Sequence, residues 1–321
     1  MDSSKIGLFC MIFWVLVSVG IANAAAIKCD SCESCNEAIK NAPAGAVIVL
    51  SKEIKTSGNC IEITAPSITF DCRGHAITGN LENSVFGIKV ANTKNVTVRN
   101  CEIKNFDIGI WIYSSSEINV EHNTISSLRT AGILAGDTFK FRHRMGEYTC
   151  ISPHAPSDKL VIRENRISGW EYNPCFPFGI YVRGNNTIVE KNLVKGPEWE
   201  RGAGIGVCGY GNAIRKNVIG DLEFEGISVV CMSEGRSGTP LPDRGGNSTI
   251  ENNFVQNVGY YGIWVASENN LVVHNYIVGT SVAGIKIDSA SARNNVVKNN
   301  TVIFNNVDGI ELVMLPNKTI L

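Results

Sequence analysis

The chain has 321 residues, a formal net charge of −1, 18% charged residues and 8% aromatic residues. That balance excludes an electrostatic nucleic-acid binder, which would carry a basic surplus on one face. The length would fit two ordinary domains, but it equally suits one long solenoid, which grows by stacking.

At the N-terminus, Lys5, the apolar run from Ile6 to Ile21 and the small residues Ala22, Asn23 and Ala24 follow the order of a secretory signal. Residues 1–24 are therefore expected to be removed, and only an uncleaved signal would tie the protein to a membrane. Eleven cysteines include Cys10 within this segment, which leaves an even ten in an exported chain. Cys29, Cys32, Cys35, Cys60, Cys72, Cys101, Cys150, Cys175, Cys208 and Cys231 are accordingly disulfide candidates. A secreted or extracytoplasmic location, at the cell surface or in a periplasm, follows.

Residues 25–60 read as a Cys-rich cap with the first rung. The segment KCDSCESC spaces Cys29, Cys32 and Cys35 three apart. With Cys60 or Cys72 such a set would bind a metal or, as export favours, pair as disulfides. CNEAIKNA, over 35–42, predicts a short amphipathic helix covering the solenoid's open end, and PAGAVIVL predicts a first strand.

Residues 61–321 carry a repeat. A Gly-Ile pair recurs at Gly87, Gly109, Gly132, Gly179, Gly204, Gly226, Gly262, Gly284 and Gly309, in steps of 22, 23, 47, 25, 22, 36, 22 and 25 residues. Within one unit, Ile263–Val265, Leu271–Val273 and Tyr276–Val278 are apolar runs too short for helices, bounded by Gly, Ser or Asn. A period of about 22 with three strands and three turns predicts an all-β fold, a single-stranded parallel β-helix. Two places before the last apolar residue of each third strand sit Asn123, Asn165, Asn192, Asn217, Asn253, Asn275 and Asn300, expected to form a side-chain ladder and to take the left-handed bend. Two places earlier still, Arg99, Glu121, Arg163, Glu190, Arg215 and Glu251 alternate in sign and predict an ion-pair ladder rather than a site.

The thiol-rich start, the capping helix, ITFDCRGHAITG and the G-I-x-V and N-x-T-I repeats resemble secreted right-handed β-helix proteins of the NosD-like, CASH-domain type (carbohydrate-binding proteins and sugar hydrolases). The resemblance covers nearly all of the mature chain. It implies a right-handed helix and a polysaccharide or glycan partner, in a family that hosts binders, lyases, epimerases and hydrolases. In the NosD members it implies help with copper-site maturation of a periplasmic reductase. Five methionines and five histidines without a Met/His-rich tract give copper little to bind here. The paired-Asp and G-H-G pattern of polygalacturonase-like members is missing, and Ser152-Pro153-His154-Ala155 only partly echoes the D-P-H-D of alginate epimerases.

Departures from the period are where function is expected. Insertions at 136–158 and 232–247 leave the same turn and would either arch over the intervening rungs or form two solvated loops. The first brings Arg142 and His154. The turn before the Gly-Ile strand gathers Trp170, Tyr172, Trp199, Tyr260 and Tyr261 beside Arg201 and Glu225, which suits sugar faces and hydroxyls. The alternative is that these rings cover the core beneath wider turns. Glu200 and Glu223, at matching turns of successive rungs, are the candidate catalytic pair of a hydrolase. For a lyase or epimerase, Asp221, Glu223 and Glu225 are the candidate Ca²⁺ set, with Arg201 as base. No cofactor beyond that Ca²⁺ is suggested. No polar cap follows Ile310, which leaves the last rung to be covered by a partner, by the final residues or by further chain.

Overall fold

The structure is a computed structural model that describes residues 26–313, apart from 144–145, 153–154, 171–172, 174, 176, 197–201, 232–244 and 289–291. His154, Tyr172, Trp199, Glu200, Arg201, the signal segment and most of the second insertion lie outside the described residues, as does the side chain of Arg142.

Short Ile- and Val-rich runs, interrupted by Asn, Gly and Ser, form strands that pair in parallel with the strands one turn before and one turn after. One column holds eleven strands, from Ile27–Cys29 to Val296–Lys298. A second runs from Ile54–Lys55 to Thr301–Ile303 and a third from Ile61–Ile63 to Asp308–Val313. The long strands Glu102–Tyr113 and Thr124–Ala135 contribute to both of these. Three strands per rung, stacked in register, make the expected parallel β-helix. Alternate side chains point inward and stack on their counterparts; Ile103, Ile125, Ile167, Val194, Ile219, Val255 and Ile277 are all fully buried in one such column.

That column explains the recurring Gly-Ile pair. A Cβ on Gly109 would lie 2.3 Å from the Ile125 side chain and 2.7 Å from the Gly132 carbonyl oxygen, and Gly132, Gly179, Gly226 and Gly262 repeat the conflict. Only glycine lets the third strand begin this close to its neighbours.

The asparagines form a continuous buried ladder. Each Nδ2 donates to the Oδ1 of the next, from Asn123 through Asn165, Asn192, Asn217, Asn253 and Asn275 to Asn300, at 2.9–3.0 Å. The same Oδ1 also accepts from the preceding ladder residue's backbone N–H, and the second Nδ2 hydrogen goes to a strand carbonyl, as from Asn217 to Val189. The left-handed bend, expected on the ladder residue, falls on the residue before it: His122, Glu164, Lys191, Lys216, Asn252, His274 and Asn299 have φ of 55–58°. The amide takes up the backbone groups that this bend would otherwise orphan. A second ladder five residues upstream joins Thr187, Asn212, Ser248, Asn270 and Asn295.

On the outside of the first column two of the expected ion pairs are formed, Arg163 with Glu121 and Arg215–Glu190 at 2.8 Å, while Arg99 pairs with Asp71 at 3.0 Å, a partner outside the expected ladder. Burial works against the Asp71 carboxylate, but hydrogen bonds from Asn100, the Arg73 backbone and Arg99 hold its pKa below the ordinary range.

The capping helix spans Cys32–Asn41, three residues earlier than predicted, because Ser31 caps it and Ser34 closes the capping box. Disulfides Cys29–Cys35 and Cys32–Cys60 tie it to the first and third columns, while Cys72 pairs along the stack with Cys101. Cys150–Cys175 and Cys208–Cys231 complete five bonds, which account for all ten candidates and leave no free thiol among the described residues. Such a set belongs to an oxidising, extracytoplasmic compartment. The first insertion is an antiparallel hairpin, Asp137–His143 with Gly146–Ser152, not a solvated loop. Thr149 anchors it by donating to Asp107 at 2.7 Å and by accepting from Thr130 through its carbonyl.

Replacing Asn217 by Ala leaves a buried gap in the ladder and orphans donors on both sides. Denaturant unfolding of the Asn217→Ala variant is expected to show a loss of about 2–4 kcal/mol, with an unchanged slope.

Candidate functional site

The turn between the second and third columns opens into a lateral groove of about 620 Å³, lined by Asp221, Leu222, Glu223, Asn257, Val258, Gly259, Gly279 and Ser281. The volume is of the size that holds small ligands. Two of the predicted carboxylates, Asp221 and Glu223, therefore face the same open space.

From this groove a line of rings leads onto the outer face of the third column. Phe224 and Tyr260 lie 5.6 Å apart between centroids, Tyr260 and Tyr261 5.9 Å, and Tyr261 and Trp264 6.1 Å. Tyr260 is 44% exposed. Lys286, in register with Trp264 one rung on, sits 4.7 Å over the Tyr261 ring and donates to its hydroxyl at 3.0 Å. Asp288 and Glu311 approach the same ammonium at 3.5 Å each. Burial disfavours the charge on Lys286, but the Tyr261 hydroxyl and the two carboxylates outweigh it and hold the pKa above the ordinary lysine value.

The expectation for Trp170 needs correction. It was expected as a sugar-stacking ring, yet it is 3% exposed and packed in the main core. The Ca²⁺ set also fails. Asp221 is held by Lys195 at 3.0 Å and by Asn257, which keep its carboxylate below the ordinary range despite burial. Glu225 has the opposite environment: burial pushes its carboxyl up, against a small opposing backbone hydrogen bond. Among the described residues no three His, Cys, Asp or Glu side chains converge as a cation would need. Of the proposed catalytic pair, Glu223 lines the groove, whereas Glu200 lies outside the described residues.

Trp264 and Lys286 were not anticipated as site residues. The signal was present in the third residue of each Gly-Ile strand, which points outward while its neighbours enter the core. In register this position runs Lys89, Trp111, Leu134, Tyr181, Gly206, Ser228, Trp264, Lys286 and Glu311.

A family model described as "Right handed beta helix region" matches residues 154–320, just over half of the chain. The chain belongs to the right-handed β-helix family. A second model, "Periplasmic copper-binding protein (NosD)", matches residues 27–142 of the β-helix. No curated protein matches this β-helix significantly in sequence. Among solved structures it is similar to the A-module of the mannuronan C-5 epimerase AlgE6 from Azotobacter vinelandii, with a TM-score of 0.68 at 14% identity, over 89% of this chain and 77% of that one. It is also similar to a tailspike protein mutant of E. coli bacteriophage HK620 in complex with a hexasaccharide, with a TM-score of 0.64 at 13% identity, over 88% of this chain. The β-helix spans about half of that tailspike, 55% of its length. At these identities the likeness is one of fold.

The raised Glu225 carboxyl sets a pH dependence. The folded state holds this proton more tightly than the unfolded chain, so the contribution is complete below the unfolded pKa and is lost as pH rises through the folded one. Glu225→Gln is expected to raise the thermal midpoint at about pH 7 and to leave it unchanged below about pH 4. Melting curves of both proteins at the two pH values check this.

Proposed function

We propose that this protein is an extracytoplasmic polysaccharide-binding β-helix that holds its ligand along the lateral face between Asp221 and Lys286. The observation that carries this reading is the unbroken line of rings, Phe224–Tyr260–Tyr261–Trp264, running out of a groove edged by carboxylates. Aromatic faces stack on the apolar faces of pyranoses, and groove carboxylates and amides accept or donate hydroxyl hydrogen bonds. A regular stack repeats its outward positions about every 4.8 Å, so an extended polymer meets a similar surface at each step. The two structural neighbours lend support, since one is named for mannuronan and the other was solved with a hexasaccharide.

A second reading, glycoside hydrolysis in the same groove, is favoured by one observation. Asp221 is held ionised while Glu225 is pushed toward its protonated form, and carboxyls with opposed environments are how an acid and a base are set apart. Sugar release from a bound polysaccharide, abolished by Asp221→Asn or Glu225→Gln, would establish it; binding without release would leave the protein a binder.

For the binding reading, Tyr261→Ala is expected to weaken polysaccharide affinity about tenfold or more in titration calorimetry, through the lost ring and the freed Lys286. Unchanged affinity, with the fold intact, would contradict it.

A further inference from the structure

The groove also runs along the stack, because its lining comes from the same bend on three successive rungs. Register pairs Leu222 with Val258 and Val258 with Thr280, which sets Asp221, Asn257 and Gly279 one above another. All three take the left-handed backbone, with φ of 58°, 51° and 70°. Two places on, Glu223, Gly259 and Ser281 form a second lining row. That row needs bare backbone in its middle: a Cβ on Gly259 would lie 2.1 Å from the Glu223 carbonyl oxygen.

The next rung changes the residue type. Val278 pairs with Ile303, and Thr280 donates to Asn305 Oδ1 at 2.6 Å, so the bend that follows Gly279 falls on Phe304. Phe304 has the same left-handed backbone, with φ of 56°, and is 81% exposed. Both properties are unfavourable for a phenyl ring. A bulky residue is strained in the backbone region that glycine, asparagine and aspartate enter more readily. An exposed ring also leaves its apolar surface in water. Among the described residues no other Phe, Tyr or Trp has φ in this region. Strain of this kind concentrates where a ligand is held.

Placement gives the ring a use. It stands one strand spacing, about 4.8 Å, beyond Gly279, at the end of a groove lined by carboxylates, an amide and a hydroxyl. Tyr260, 44% exposed, directly follows Gly259 on the groove's flank. A polar floor with aromatic faces beside it complements a pyranose, whose rim carries hydroxyls and whose faces are apolar.

We propose that Phe304 is the terminal platform of the polysaccharide site. One pyranose stacks on its ring while the units before it lie in the groove over Gly279, Asn257 and Asp221. The polymer then follows the helix axis for three rung steps, about 14 Å. This rests on the polysaccharide-binding reading and adds to it an end point and a direction.

Titration calorimetry on the full mature chain with its disulfides intact tests it, with cellohexaose, the hexamer of N-acetylglucosamine and hexamannuronate as probes. At least one hexamer is expected to bind. For that hexamer, Phe304→Gly is expected to lower affinity about five- to tenfold. The thermal midpoint is expected not to fall, because glycine takes the left-handed bend without strain. Phe304→Trp, which keeps a ring, is expected to hold affinity within about twofold or to tighten it. Binding that is indifferent to Phe304→Gly but lost on Tyr261→Ala overturns the platform and leaves the binding reading standing. A lower thermal midpoint in Phe304→Gly makes the ring a structural one and overturns the platform too. So does sedimentation of the free protein as a dimer that Phe304→Gly dissociates, which would assign the ring to a second copy of the chain. If no hexamer binds, this proposal and the binding reading fall together.

Discussion

The structure depends on a buried chain of amides. Seven successive turns from the first to the second column, at His122 through Asn299, bend through a left-handed residue that is never glycine, at an intrinsic cost of about 1 kcal/mol or more. What makes the bend tolerable is the asparagine that follows, whose Oδ1 accepts two hydrogen bonds and whose Nδ2 donates two. Remove that residue and the turn holds a strained backbone with unpaired groups away from water. With it, each rung is locked to the next at fixed height and phase, so outward side chains are placed by the stack rather than by loops.

This rigidity is why a line of rings from different rungs can act together. Phe224 belongs to one turn, Tyr260 and Tyr261 to the next, and Lys286 to the one after, yet their spacing follows from strand pairing alone. The polar groups around them are set by the same pairing. Asp221 meets Lys195 from the preceding rung and Asn257 from the following one, while Glu225 is partly buried and its carboxyl is pushed up. Opposed carboxyl environments four residues apart are therefore a product of the turn's path.

The scaffold was legible in the sequence because it repeats. The period set the three columns, the Gly-Ile pair marked the third strand, and the asparagine and arginine–glutamate ladders announced themselves by alignment. The exact seat of the left-handed bend was not legible, because it depends on which backbone groups each amide reaches; nor was the second ladder, whose Thr, Ser and Asn members share hydrogen-bonding chemistry but not identity. The site was half legible. Aromatic enrichment at broken turns pointed to Tyr260 and Tyr261, and to a groove shared by Asp221 and Glu223. It misplaced Trp170, since a sequence shows that a ring is near a turn but not which way it points. Trp264 was passed over for the opposite reason: it sits in the most regular rung, where regularity reads as scaffold, although its outward face is free to differ.

The central claim is that regular rungs hold the fold while the outward line from Asp221 to Lys286 holds a polysaccharide. Amide hydrogen exchange of the intact protein, with and without a mixed neutral polysaccharide, tests it most directly. The account predicts added protection concentrated in residues 221–229, 257–265 and 281–288, with the first-column strands unchanged. Protection centred instead on the first column and its ion-pair ladder, or no ligand-dependent protection anywhere, would contradict it.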